Sequence, residues 1–175
     1  MNIIGLDPGY GLIGWGVVST NDGGKRGLSP VDWGCIETLP SMQDADRLRH
    51  IQIHILELLE KYKPATAVIE RLFINKNLKT AAMVYQARGV LLAALAEFQC
   101  EILELTPNQI KQGVCGRGNA EKREVELMVR RLLHIAEDIR PDDTADALAC
   151  AITGAFYLDS KRWVHTAKTK GKIYI

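Results

Sequence analysis

The chain has 175 residues, 47% of them hydrophobic, which suits a single domain with one substantial core. No uncharged apolar run is long enough to span a membrane, and the N-terminus lacks the layout of a signal peptide, so we expect a cytoplasmic protein without a membrane partner. The four cysteines stand singly and form no C-x-x-C pair, which argues against a zinc knuckle or a redox motif.

The formal net charge is only +1, but the basic residues are clustered. The segment 71–88 carries four basic residues and no acid, the segment 108–123 is similarly basic, and residues 161–175 carry five basic residues and no acid. Local basic segments on a nearly neutral chain suit a polyanion bound at one face. Ordinary solvated surface charge is the alternative interpretation.

The first chemical motif in chain order is Gly9-Tyr10-Gly11-Leu12-Ile13-Gly14, which has the spacing of a dinucleotide-binding fingerprint. That motif requires a helix directly after it, whereas here β-branched residues and then a turn-like NDGG follow. We therefore predict a three-stranded antiparallel meander, in which the glycines allow backbone or ligand to approach closely. Asp7 ends the first strand, where it either holds a cation or caps the Pro8-Gly9 turn.

Helices and further strands follow the meander. The apolar spacing predicts an amphipathic helix over 44–63 that carries Arg47, His50 and His54 on its polar side, and we expect no metal at the two histidines. A short strand, ATAVIE, ends at Glu70, and a helix over 78–99 is apolar nearly all round, which predicts a homodimer. Next come a strand at EILELTP, a loop at NQIKQGVCGRGN, a helix over 120–134 and a helix that begins at Pro141.

This order predicts an α/β fold with a mixed five-stranded sheet, the first three strands antiparallel and the rest parallel, flanked by helices on both faces. Right-handed crossovers place the fourth strand beside the first, so Asp7 and Glu70 end neighbouring strands at one edge. The last helix can add Asp143 and Asp146. Four converging carboxylates suit two Mg²⁺ ions, or Mn²⁺, and two such ions suit phosphodiester hydrolysis.

Several blocks together resemble one known family, the RuvC Holliday-junction resolvases of the ribonuclease-H-like superfamily. The likeness rests on GLDPG with the glycine-rich second strand, VIERLFINKN, YQARGV, IKQGVCGRGNAEK and DTADALACAIT, and it covers about residues 1–158. We treat 1–158 as the nuclease domain and 159–175 as a basic C-terminal tail. Nothing of the family carries over to the tail or to the hairpin TNDGGKRGLSP.

The resemblance implies roles for individual residues. Asp7, Glu70, Asp143 and Asp146 would be the catalytic metal-binding acids, with Asp143 chosen over Asp142 by the D-x-x-D spacing and acting partly as a base, since some members carry histidine there. Lys111 and Lys122 match lysines near the scissile phosphate. Phe73 resembles an aromatic residue that stacks on an unpaired base, with a buried core phenylalanine as the alternative. The further expected DNA contacts are Lys76, Lys79 and Arg117.

The resemblance implies a crossover junction endodeoxyribonuclease, a dimer that resolves four-way junctions by paired, symmetric cuts in recombination and repair. Its expected partners are four-way junction DNA and the branch-migration proteins RuvA and RuvB. Alternatives are another ribonuclease-H-like nuclease, a non-catalytic junction-binding protein, and an ATP-binding domain of the actin and sugar-kinase type. The last needs a second Asp-x-Gly loop and about twice the length.

Overall fold

Ten helices and strands lie within the residues that the structure describes. The computed structural model describes residues 1–20, 27–72 and 78–170, and leaves the side chains of 78–80 and 160–170 outside that description. The strands are β1 (Asn2–Pro8), β2 (Leu12–Thr20), β3 (Leu28–Glu37), β4 (Thr66–Glu70) and β5 (Glu101–Leu105). The helices are α1 (Asp44–Tyr62), α2 (Leu78–Glu97), α3 (Pro107–Cys115), α4 (Lys122–Leu133) and α5 (Asp142–Lys170).

The sheet has the predicted topology. Its order is β3-β2-β1-β4-β5, with β1–β2 and β2–β3 antiparallel and β1–β4 and β4–β5 parallel. Each face supports its own core: α1 and α2 cover one face around Ile51, Leu59 and Leu91, and α3, α4 and α5 cover the other around Val129 and Leu148. The predicted mixed α/β fold is confirmed.

The glycines of β1 and β2 make room for a helix and not for a nucleotide. A Cβ atom added at Gly14 would lie 2.0 Å from the carbonyl oxygen of Asp143, and one added at Gly5 would lie 2.0 Å from that of Ala147. A Cβ atom added at Gly16 would lie 2.6 Å from the side chain of Leu148. The expected close approach at Gly14 and Gly16 is therefore real, and what approaches is α5. At Gly11 the space is open.

Helix α3 corrects the prediction of a loop after the fifth strand. Thr106 accepts a hydrogen bond from the backbone N–H of Gln109, whose side-chain oxygen in turn accepts from the backbone N–H of Thr106, and Pro107 opens the helix. This is a capping box with proline in the first turn, a pattern that stands in the sequence as TPNQ. Helix α4 begins at Lys122, two residues later than expected, with Glu121 as its N-cap residue.

Arg47 corrects the expected polar face of α1, since its side chain is buried, with 3% of the residue exposed. Its guanidinium donates to the hydroxyl of Thr38 at 2.7 Å and to the carbonyl of Leu39 at 2.8 Å, and it lies over the ring of Tyr10. Helical spacing alone could not show this, because the acceptors lie outside the helix, in the loop between β3 and α1. Arg47 thereby ties α1 to the turn that follows Asp7.

Helix α2 packs on α1 and leaves its other side open. The exposed residues among those whose side chains are described are Ala82, Tyr85, Gln86, Gly89, Ala93, Ala96 and Glu97. Across the described ranges, no helix is long and apolar enough to cross a membrane. The predicted turn at NDGG lies outside the described residues, and the boundary at 158/159 stays a prediction, with α5 continuing across it to Lys170.

Candidate active site

The ends of two neighbouring strands place the first two acids. Leu6 of β1 is paired with Ile69 of β4 in parallel register, and Asp7 and Glu70 are the next residues on the two strands. Both side chains are only partly exposed. Since parallel strands end at the same edge of a sheet, the two carboxylates lie side by side, as the sequence predicted.

The first turns of α5 bring the other two acids to the same edge. Gly14 pairs with Asp7 across β1 and β2. The backbone of Asp143 packs directly against Gly14. Thr144 reinforces this contact by donating its hydroxyl to the carbonyl of Gly34 at 3.2 Å. Asp146 lies one helical turn further on, on the same face as Asp143.

The acids lie close enough for burial and their mutual charge to raise one another's pKa values. Burial, followed by the charges of Glu70, Asp146 and Asp143, raises the pKa of Asp7 to about 8. Burial, and then the charge of Asp146, also raises the pKa of Glu70, while Lys111 and Lys122 oppose the rise. Burial raises the pKa of Asp146 as well, against the opposing effect of Lys122. A buried cluster of like charges holds protons until cations replace them.

One such cation belongs to the chain itself. The Nζ of Lys122, at the start of α4, lies 3.1 Å from Asp146 Oδ2 and 3.8 Å from Asp142 Oδ2. Burial lowers the pKa of this lysine, but the charges of Asp146, Asp142 and Asp143 outweigh burial and raise the pKa overall. The ammonium group therefore stays charged beside the acids.

A pocket of about 170 Å³ opens beside Glu70 and Asp146. Its polar walls are these two carboxylates with Lys111 and Lys122, and its apolar walls are Pro107, Ile110 and Val125. Helix α3, which the sequence analysis missed, is the element that places Lys111 there. The pocket thus offers negative and positive groups facing each other, as metal-assisted chemistry on a phosphate needs.

The donor set fits a hard divalent cation in its chemistry, because it consists of carboxylate oxygens that raise one another's pKa. The side chains are not arranged as a finished site. Within 1–20, 27–72 and 78–170, no group of three or more His, Cys, Asp or Glu side chains is placed to hold a metal ion. Asp146 is instead paired with Lys122.

Comparison with known proteins decides the family. The sequence profile described as "Crossover junction endodeoxyribonuclease RuvC" matches residues 3–154. The chain belongs to the RuvC family. A curated relative from Halothermothrix orenii, named crossover junction endodeoxyribonuclease RuvC, is 41% identical over 164 residues, which cover 93% of this chain and 98% of the relative.

Solved structures agree with the family assignment. Thermus thermophilus RuvC superimposes with a TM-score of 0.84 at 34% identity and covers 92% of this chain and 97% of its own. The structure titled "T. thermophilus RuvC in complex with Holliday junction substrate" gives a TM-score of 0.82 at 32% identity, with 91% of this chain and 96% of its own covered. The fold is ribonuclease-H-like. Nucleases of the RuvC family depend in general on a divalent metal ion.

The adjacent residues Asp142 and Asp143 have different surroundings. Asp143 is one of the charges that raise the pKa of Asp7, whereas Asp142 does not contribute to that shift. Asp142 is exposed and is paired with Arg140 at 2.7 Å. Of the two, Asp143 is therefore the residue whose charge reaches Asp7.

The expected DNA contacts are only partly visible. Phe73 and Lys76 lie outside the described residues, and Lys79 lies on α2 with its side chain outside the description. Arg117 is exposed and donates two hydrogen bonds to Glu124, at 2.6 and 3.2 Å. His50 and His54 contact each other edge to face on α1, and His54 also contacts Glu57.

Proposed function

We propose that this RuvC-family chain is a crossover junction endodeoxyribonuclease, which resolves four-way DNA junctions by paired, symmetric phosphodiester hydrolysis in recombination and repair. The observation that carries the proposal is the acid cluster. Asp7, Glu70, Asp143 and Asp146 come from two strand ends and one helix, and the three last-named charges act together on Asp7. A structural role does not account for four acids gathered in a partly buried place.

The four carboxylates would hold two Mg²⁺ ions, with Mn²⁺ as an alternative. Bound ions of this kind supply a nucleophilic water and neutralise charge on the leaving oxygen. Lys122 and Lys111 face the acids across the pocket, where their charges stabilise a phosphate that gains negative charge. Lys122 contacts Asp146 in the free protein, so a bound phosphate would either share this ammonium group with Asp146 or take it over.

Two subunits are needed for two symmetric cuts, so we propose a homodimer. The exposed side of α2 supports it, because this side is formed mostly by small, uncharged residues. Ala93→Glu places a charge on that side and should convert the dimer to monomer in sedimentation analysis. Ile53→Glu, on the exposed side of α1, is the matched control and should leave the dimer intact.

The partners proposed beyond DNA follow from the family resemblance alone. They are the branch-migration proteins RuvA and RuvB, together with a cytoplasmic location. Phe73, Lys76, Lys79 and Arg117 remain proposed DNA contacts. Release of Arg117 from Glu124 would free its guanidinium for a phosphate.

The deciding experiment is cleavage of a labelled synthetic four-way junction in the presence of Mg²⁺, with a plain duplex of the same sequence as the control. We expect symmetric nicks in the junction and none in the duplex. Asp146→Ala and Glu70→Ala separate the nuclease from a non-catalytic junction-binding protein, because both variants should bind the junction without cutting it. Equal cutting by these variants and the wild type would contradict the proposed function.

A further inference from the structure

The motif YQARGV has no role in the chemistry described so far, although its arginine is unusual. Arg88 is the only charged residue between 81 and 96 of α2, a stretch that is otherwise apolar or neutral. Its side chain is 13% exposed. Its Nε is buried and lacks a hydrogen-bond partner within the described part of the chain. A charge in such a place requires a specific partner.

That partner is Glu104 on β5. Arg88 Nη2 lies 2.9 Å from Glu104 Oε2, and the same oxygen lies 3.7 Å from Arg71 Nε. Glu104 is paired with Ile69 in the sheet, so it lies beside the last residue before Glu70. Arg71 is the first residue after Glu70. Glu104 thus lies beside the residue before Glu70, and Arg71 is the residue after it. Arg88 is linked to both through the Glu104 carboxylate.

Two hydrogen bonds hold the same short segment. The backbone N–H of Arg71 donates to the carbonyl of Leu105 at 2.8 Å, which prolongs the β4–β5 ladder past Glu70. The hydroxyl of Tyr85, also in YQARGV, donates to the carbonyl of Leu72 at 3.3 Å. Helix α2 thus contacts this segment through two side chains of its motif, the partly exposed Tyr85 at Leu72 and the mostly buried Arg88 through the carboxylate that it shares with Arg71.

Stability alone does not explain this arrangement. A half-buried ion pair gives up much of its attraction to desolvation, and apolar residues of similar volume often stabilise a protein as well or better. The apolar composition of the rest of α2 shows that such residues are accepted there. An ion pair with a shared carboxylate adds a defined geometry, because it fixes the position of the backbone at the end of β4.

We propose that Arg88 is a positioning residue for the catalytic acid Glu70. Acting through Glu104 and Arg71, it holds the end of β4 so that the Glu70 carboxylate stays beside Asp7 and Asp146. This inference rests on the proposed nuclease function and assigns Arg88 no contact with DNA or metal. Because a misplacement of about 1 Å at a catalytic group can cost about 10²-fold in rate, loss of the pair should act on the chemical step.

The test uses the full chain with Mg²⁺ and a four-way junction under single-turnover conditions with saturating protein. Arg88→Met should lower the cleavage rate about 10- to 100-fold, while junction affinity measured in EDTA changes less than about twofold. Glu104→Gln should lower the rate in the same range, and the double variant should be no slower than the slower single variant, because both act through one contact. Arg88→Lys should restore part of the rate.

Arg130 provides a matched control for simple destabilisation. It is also a mostly buried arginine, it is paired with the exposed Asp138, and its Nε is likewise buried without a partner among the described residues. Arg130→Met should lower the melting temperature about as much as Arg88→Met but leave the saturated cleavage rate within about twofold of the wild type.

The outcomes are distinguishable. A wild-type rate in Arg88→Met or in Glu104→Gln would contradict the positioning role and leave the nuclease function standing. Equal rate losses in Arg130→Met and Arg88→Met would also contradict it, because the effect would then be general destabilisation. If Arg88→Met does not fold, Glu104→Gln and Arg88→Lys carry the test. Absence of cleavage by the wild type would contradict the proposed function and this inference with it.

Discussion

The acid cluster is held in two different ways on its two sides. On one side, α5 lies directly on the sheet, with the carbonyl oxygens of Asp143 and Ala147 occupying the space where side chains at Gly14 and Gly5 would be. On the other side, the end of β4 is held by the charges of Arg88, Glu104 and Arg71. The first contact is steric, and the second is electrostatic and partly exposed.

The difference matters because the two kinds of contact respond differently to change. Backbone packed against backbone has no side chain that can rotate away, so added volume must displace a whole element. An ion pair between long side chains weakens with salt and can re-form in other geometries. We therefore expect substitutions on the α5 side to affect folding, and those on the β4 side to affect chemistry more than stability.

Asp7 lies between the two sides, and its substitution should have the largest effect. Asp7→Asn removes the charge that both sides surround, and we expect cleavage of a four-way junction to fall on the order of 10³-fold. Junction binding in EDTA should persist. The exposed Asp142, which is paired with Arg140, is the control, and Asp142→Asn should cleave within a few-fold of the wild type. Full cleavage by Asp7→Asn would show that the acids are not the active site.

Gly14→Ala should produce the next largest effect and tests the α5 side directly. The new Cβ would lie 2.0 Å from the Asp143 carbonyl oxygen, so α5 must move or the chain must unfold. We expect the free energy of unfolding to fall by about 3 kcal/mol, at the upper end for overpacking, as measured by urea denaturation. Gly11→Ala meets open space and should change it by less than about 0.5 kcal/mol. Similar values for the two variants would contradict steric packing of α5 at Gly14.

These contrasts also show what the sequence could predict. Strand order followed from apolar periodicity and the right-handed crossover rule, and these place Asp7 and Glu70 together without any knowledge of side-chain contacts. The rejection of a dinucleotide site also followed from local context, because no helix follows Gly14. In both cases the information is local in sequence or fixed by backbone chirality.

What was missed depended on contacts between distant residues or on a signal that was overlooked. Arg47 looked solvent-exposed because its acceptors, Thr38 and Leu39, precede α1 in a loop whose course cannot be read from periodicity. The role of Glu104 cannot be read from β5 alone, since its partners Arg88 and Arg71 come from other parts of the chain. The capping box at Thr106 was readable, and with it α3 and the position of Lys111.

The stability of the metal-free protein should fall as pH rises from about 5 to 8. Burial and neighbouring acids raise the folded-state pKa of Asp7 to about 8, and those of Glu70 and Asp146 are raised too. In this window the folded chain binds more protons than the unfolded chain, so the free energy of unfolding decreases with pH. The change is on the order of 3 kcal/mol, since one pKa unit corresponds to about 1.4 kcal/mol.

Thermal unfolding in EDTA between pH 5 and 8 measures how the free energy of unfolding changes with pH. Variants of the acids on the β4 side and on the α5 side show how much each side contributes to this slope. Asp7→Asn should remove most of the slope. Glu70→Gln should reduce it more than Asp143→Asn does, because Glu70 is the strongest of the charges acting on Asp7. An unchanged slope in Asp7→Asn would mean that the proton is held elsewhere.

The two lysines of the pocket, Lys122 and Lys111, should differ in their effect on cleavage, and this is the smallest difference that we predict. Lys122 contacts Asp146 at 3.1 Å and lowers the pKa values of Asp7, Glu70 and Asp146, whereas Lys111 acts on Glu70. Loss of a cation that stabilises charge in the transition state costs about 10²-fold, so we expect that loss for Lys122→Met and about tenfold for Lys111→Met. Single-turnover cleavage at saturating protein measures both.

Salt dependence shows whether each lysine meets a phosphate as well as an acid. A lysine that contacts a phosphate lowers the slope of log affinity against log salt by about 1 when it is removed. If Lys122 only neutralises Asp146, Lys122→Met will leave that slope unchanged and raise the pKa of Asp146 further. If Lys122 contacts the phosphate when DNA binds, the slope will fall in Lys122→Met. The Lys122–Asp146 ion pair is then a feature of the DNA-free protein. Equal cleavage by Lys122→Met and the wild type would contradict both roles.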